Sequence, residues 1–140
     1  MADEVHGIAV GTTASFTKQV TADDIRAFAK ISGDDQPLHL DPSFAARTRF
    51  KEPIAHGILS AGLVSAAIGT RLAPGMVVIY LSQNLRFRAP VKPGETLTAT
   101  LTATSVDTER SRVTLDTVVT NQDGTEVLTG DALVMVEPPA

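Results

Sequence analysis

The sequence predicts an α+β fold, a curved antiparallel β-sheet wrapped around one central buried helix. Three observations carry that prediction. Over residues 57–72, small and apolar side chains (Ile58, Leu59, Ala61, Leu63, Val64, Ala66, Ala67, Ile68) surround a helix axis almost completely, so this helix belongs inside the molecule. In the second half Leu97, Ala99, Leu101 and Ala103 alternate with threonines, and Val113, Leu115, Thr117 and Val119 repeat the same period of two, the mark of strands with one buried face. The connectors Pro93-Gly94-Glu95, Asp107-Thr108-Glu109-Arg110 and Asp123-Gly124 are turn material, which makes consecutive strands antiparallel neighbours. A sheet with one apolar face needs a cover, and the apolar helix supplies it.

The elements follow in chain order. Residues 1–9 read as a loose leader, acidic and polar at its start and unlike a signal peptide. Residues 14–20 alternate polar and apolar and form a short strand. Thr21 is a helix cap, with Asp23 and Asp24 placed at the positive end of the dipole. Ile25, Phe28, Ala29 and Ile31 follow with helical spacing, and Gly33 stops the helix. A short helical turn over residues 42–49 begins at Pro42. Pro53 breaks what precedes it, and Pro74-Gly75 ends the central helix. Strands are expected over residues 76–88, 96–106, 111–121 and 127–137.

Bulk properties narrow the function. The 140 residues fit a single domain that buries about 70% of its unfolded surface. Aromatic residues make up 4%, there is no Trp, and the net charge is −4; a nucleic-acid binder would carry stacking platforms and a basic face. The absence of Cys removes disulfides, thiolate nucleophiles and Cys-ligated zinc. No run of about 18 apolar residues offers a membrane span. A cytoplasmic protein is expected.

The chemistry concentrates in residues 32–41, Ser32-Gly33-Asp34-Asp35-Gln36-Pro37-Leu38-His39-Leu40-Asp41. Asp34 and His39 put a carboxylate and an imidazole five positions apart on a segment punctuated by Gly and Pro, where regular structure is disfavoured and acid/base groups are often held. Taken alone, Asp34 is a turn residue after a helix stop, and His39 a hydrogen-bonded core histidine. Further along, Pro53-Ile54-Ala55-His56-Gly57, whose His56 is 17 residues after His39, opens the central helix. The two segments together point to a reaction centre at the mouth of that helix. Three histidines without helical or hairpin metal spacing argue against a metal site. Ser60 and Ser65 lack a nucleophile elbow. Arg86 and Arg88 share a strand face, with Lys92 nearby; Arg47, Arg49 and Lys51 form a second basic cluster. Either set is a solvated face or a phosphate contact.

The Ser-Gly-Asp-x-x-Pro-Leu-His-x-Asp core at residues 32–41 resembles the hydratase-2 motif of the (R)-specific enoyl-CoA hydratases, in the MaoC-like branch of the hotdog fold. The entry into the central helix, Pro53-Ile54-Ala55-His56-Gly57 with Ser60 to Ser65, and the strand Leu85-Arg86-Phe87-Arg88-Ala89-Pro90-Val91 before Gly94-Glu95 fit the same family. The likeness runs from about Phe16 to Val136. It implies a single hotdog domain over residues 1–140, reversible hydration of a trans-2-enoyl-CoA to an (R)-3-hydroxyacyl-CoA, and no cofactor. Asp34 and His39 would be catalytic, the Gly57 N–H would hold the thioester oxygen, and Ser65, Gln36 and His56 would support them. Arg86, Arg88 and Lys92 are candidate contacts for the phosphates of the acyl-CoA thioester. Gln36 departs from the family, which usually has Asn there. The fold further implies a homodimer with a continuous sheet. The rival functions are an acyl-CoA thioesterase, an acyl-carrier-protein dehydratase and a non-catalytic hotdog subunit.

Overall fold

The computed structural model describes residues 3–140. Five strands, β1 (Thr13–Gln19), β2 (Val77–Phe87), β3 (Thr96–Asp107), β4 (Arg112–Thr120) and β5 (Glu126–Glu137), form one sheet in the order β1-β3-β4-β5-β2. Every pairing is antiparallel. The helices are α1 (Ala22–Ser32), α2 (Pro37–Leu40), α3 (Pro42–Ala45) and α4 (Gly57–Ala67), and a π-helical turn, Ile68–Leu72, prolongs α4. α4 touches all five strands, so the sheet curls round it as the α+β reading predicts. Among the described residues, no helix is long and apolar enough to cross a membrane.

The period-two pattern sets the core. Leu97, Ala99, Leu101 and Ala103 of β3 are buried beside Val113, Leu115, Thr117 and Val119 of β4, and the β3 threonines between them are half-buried or exposed. Cross-strand partners such as Ala99↔Val119 and Ala103↔Leu115 share the inner face. Register shifts between Ala103 and Ser105 and between Tyr80 and Ser82 give the ladder bulges, which bend strands and increase local twist.

α1 starts as its sequence dictates. Thr21 accepts from the Asp24 N–H and Asp24 accepts from the Thr21 N–H, a complete capping box. Gly33 ends the helix at φ 83°, a left-handed conformation that glycine adopts without penalty.

Three expectations need correction. Residues 3–9 are not loose: Val5 and Ile8 exchange backbone hydrogen bonds of 2.9 and 3.0 Å and both side chains join the core. Two aliphatic residues flanking a tight turn at His6 and Gly7 account for the anchoring. Met1 and Ala2, the rest of that expected leader, lie outside the described residues. Residues 32–41 are not all loop, since Pro37 starts the short helix α2. Finally, α4 is buried on one flank only. Leu59, Leu63, Val64 and Ala67 face the sheet, whereas Gly62 and Ser65 are exposed and Ile58 is 49% exposed.

Candidate active site

The site forms where the α1–α2 connection meets the start of α4. Past Gly33 the chain turns through local hydrogen bonds: the Ser32 hydroxyl donates to the Phe28 carbonyl (2.7 Å), the Asp34 N–H donates to the Ser32 hydroxyl (3.1 Å), and the Gln36 N–H donates to the Asp34 carboxylate (3.4 Å). Pro37 pre-sets the first turn of α2, which carries His39. Asp41 then caps α3 and accepts from the Ser43 and Phe44 N–H groups. The Ser43 hydroxyl, followed by the Phe44 N–H, holds the Asp41 carboxyl below the usual carboxylate range, so Asp41 works as a cap.

Two long-range hydrogen bonds tie this segment to α4. His39 Nδ1 lies 2.7 Å from the Ile54 carbonyl oxygen, and His56 Nε2 lies 2.8 Å from the Asp34 carbonyl oxygen. The His39 and His56 rings stack, with centroids 3.8 Å apart, and Phe28 packs on His56 at 4.8 Å. One potential ligand atom from each of Asp34, His39 and His56 falls within 4.8 Å of the others. Asp34 is exposed, His39 half-buried and His56 buried. Among the described residues these three side chains form the cluster that could hold a metal ion, which spacing along the chain does not reveal. His39 Nδ1 and His56 Nε2 already engage carbonyl oxygens, and His56 Nδ1 is buried. That leaves Asp34 Oδ2 and His39 Nε2 as the atoms without a hydrogen-bond partner among the described residues.

Gly57 is the first residue of α4, so its N–H has no intrahelical acceptor and sits at the positive end of the helix. It borders a cavity of about 240 Å³ walled by Phe87, Ser60, Arg49 and Arg88. The Phe87 ring lies so close over Gly57 that a Cβ there would come within 2.8 Å of it. Arg49 stacks over Phe50 at 4.9 Å, a contact that holds its guanidinium group at the cavity wall; Arg47 stacks over Phe44 at 5.2 Å.

The other predicted residues scatter. Arg88 reaches the Gly57 cavity, whereas Arg86 lies in a polar hollow with Asp116, Thr129 and Asp131; Arg88 borders that hollow too. Lys92 is ion-paired with Glu52 at 3.1 Å. Gln36 is the N-cap of α2, but its side chain makes no cap hydrogen bond. Ser65 is exposed, and among the described residues its hydroxyl bonds to nothing on the 34–41 segment. The expected support for that segment comes instead from Ser32 and His56. Sequence reasoning missed Phe87 and Ser60 as cavity walls. An exposed Phe between two arginines was the available signal for the first; Ser60 carried none.

A MaoC-like domain model matches residues 6–125. The chain belongs to the MaoC-like family. It is 47% identical over 126 residues to an (R)-specific enoyl-CoA hydratase of Rhodospirillum rubrum, covering 90% of this chain and 86% of that protein. It is 43% identical over 125 residues to the enzyme of the same name from Aeromonas caviae, covering 89% and 92%. Among solved structures, an unliganded R-hydratase from Pseudomonas aeruginosa superposes with a TM-score of 0.88 at 43% identity, covering 95% of this chain and 84% of that one. The sheet curled around α4 is thus the hotdog fold of the MaoC-like family.

Proposed function

We propose that this chain is an (R)-specific enoyl-CoA hydratase in which Asp34 and His39 activate one water molecule. The observation that carries this reading is the convergence of Asp34 and His39 beside the start of α4, where Gly57 offers a free N–H. The relatives' shared name supports the reaction class. The steps balance without a redox partner. Water oxygen bonds to C3 of the enoyl thioester as Asp34 takes its proton. The C2–C3 π pair moves toward the thioester oxygen, where the Gly57 N–H stabilises the enolate charge. The pair returns to C2, which takes up the proton held by Asp34 and so regenerates the carboxylate, while the His39 Nε2 lone pair accepts a hydrogen bond from the water and positions it. Nothing else is consumed, and the protein acts as a single hotdog domain without a cofactor.

Arg88 and Arg49 at the cavity mouth suit the phosphates of coenzyme A. Arg86 on the outer sheet face and ion-paired Lys92 suit them less. The experiment is incubation with crotonyl-CoA, following loss of the enoyl absorbance and the chirality of the product. The expected result is (R)-3-hydroxybutyryl-CoA. Release of free thiol with the enoyl absorbance unchanged would make the chain a thioesterase. Faster turnover of carrier-protein thioesters than of CoA thioesters would make it an acyl-carrier-protein dehydratase.

A further inference from the structure

The proposed steps leave His56 idle, although it is the most deeply placed polar ring of the site, only 2% exposed. It joins both halves of that site. Its Nε2 meets the Asp34 carbonyl 22 residues earlier in the chain, its ring face covers His39, with planes 28° apart, and its main chain leads directly into Gly57. A carbonyl oxygen only accepts, so the hydrogen at this contact sits on His56 Nε2. The same argument puts the His39 hydrogen on Nδ1, which faces the Ile54 carbonyl. In their neutral forms the two stacked rings therefore hold opposite tautomers. His39 keeps its lone pair on Nε2, while His56 keeps its own on Nδ1, buried and without a protein partner among the described residues.

We propose that His56 is a positioning residue for the hydration. Its Nε2–H anchors the Asp34 main chain, and its ring face holds His39 so that the His39 Nε2 lone pair is the one presented to water. The inference rests on Asp34 and His39 being the reacting pair. Two observations separate it from simple packing. His56 is the N-cap of α4 yet, like Gln36 on α2 and unlike Thr21 on α1 and Asp41 on α3, makes no side-chain cap bond; its Nε2 is spent on Asp34 instead. An apolar ring of the same size would fill the space without leaving a buried acceptor unpaired. What a hydrocarbon ring cannot supply is the N–H to Asp34.

The test begins with the wild-type protein, labelled with ¹⁵N-histidine and observed at about pH 8, above the usual imidazole range. Long-range ¹H–¹⁵N correlations are expected to show His56 protonated on Nε2 and His39 on Nδ1. His56 protonated on Nδ1 overturns the proposal, whatever the activity. The second arm compares His56→Phe, which keeps a ring without the N–H, with His56→Gln, which offers an amide N–H. The Phe variant is expected to lose at least about tenfold in kcat for crotonyl-CoA, with KM within about threefold, as when the group orienting an active residue is removed. The Gln variant is expected to recover part of that loss. Full kcat in the Phe variant, or equal losses in both, overturns the proposal in favour of packing. If the Phe variant fails to fold, the tautomers and the Gln variant decide. Failure of the wild type to hydrate crotonyl-CoA defeats the hydratase reading instead, and the tautomer result is read independently of it.

Discussion

At the scale of single residues, the proposed hydration separates side chains that would act from those that would hold. Asp34 is exposed and His39 half-buried, so neither supplies much core packing. Asp34→Asn and His39→Ala are each expected to fold normally and to lose about 10²-fold or more in kcat for crotonyl-CoA, the usual scale for a general acid or base. Full activity in both variants would end the assignment. Gln36 offers a contrasting case. It occupies the N-cap of α2 without a cap bond, and Gln lacks the short reach that Asn, Asp and Ser use there. Gln36→Asn is expected to raise stability by about 0.5–1 kcal/mol in urea unfolding and to leave kcat within about twofold, because the hydrogen bond from Gln36 to Asp34 comes from the main chain. Unchanged stability would show that the cap position is indifferent to side chain. Legibility divides along the same line. Asp34 and His39 stand out in the sequence because two chemistry-bearing residues lie close together among Gly and Pro. The stacking of His39 on His56 does not, because it depends on how the chain returns after Pro53.

At the scale of elements, two junctions have sharp physical requirements. The first is the start of α1. The Thr21 backbone N–H, followed by Lys18, holds the Asp24 carboxyl below its ordinary value of 3.8. A carboxyl lowered in the folded state adds stability that is fully present above that ordinary value and is lost as pH falls through the lowered one. Thr21→Ala is expected to cost about 1 kcal/mol at neutral pH. Asp24→Asn is expected to flatten the acid side of the stability profile, as measured by urea melts from neutral pH downward. An unaltered acid side would mean the capping box carries no charge-dependent stability. The second junction is where β2 lies on β5. A Cβ at Gly130 would overlap the Asn84 carbonyl, and a strand backbone cannot swing aside as a side chain can. Gly130→Ala is expected to cost about 3 kcal/mol or more, and an unchanged melting temperature would contradict that close approach. The strands themselves were legible because alternation survives in one dimension. The anchoring of Val5 and Ile8 was not, since two aliphatic residues in a polar stretch show no period and find their partners only in the folded core.

At the scale of the whole molecule, the exposed flank of α4 and the outer edge of β2 lie on one side. Ile58, Ala61 and Gly62 of the helix form one hollow with Tyr80, Leu81 and Leu85 of the strand. β2 ends the sheet order, so among the described residues its outer edge has no neighbouring strand, and an 11-residue edge carrying large apolar side chains invites pairing with another chain. The sequence shows an apolar helix but cannot say which of its flanks the chain's own sheet covers; here that sheet covers one. The homodimer implied by the family resemblance would bury the other flank by joining two β2 edges into a continuous sheet. The protein is then expected to sediment at twice the chain mass. Leu81→Lys, a charge on that edge, is expected to shift it toward monomer, and the crotonyl-CoA activity is expected to fall with dimer content as the Gly57 cavity loses the support of β2 through Phe87. A wild-type protein that sediments as a monomer with full activity would restrict the working unit to one copy of the chain.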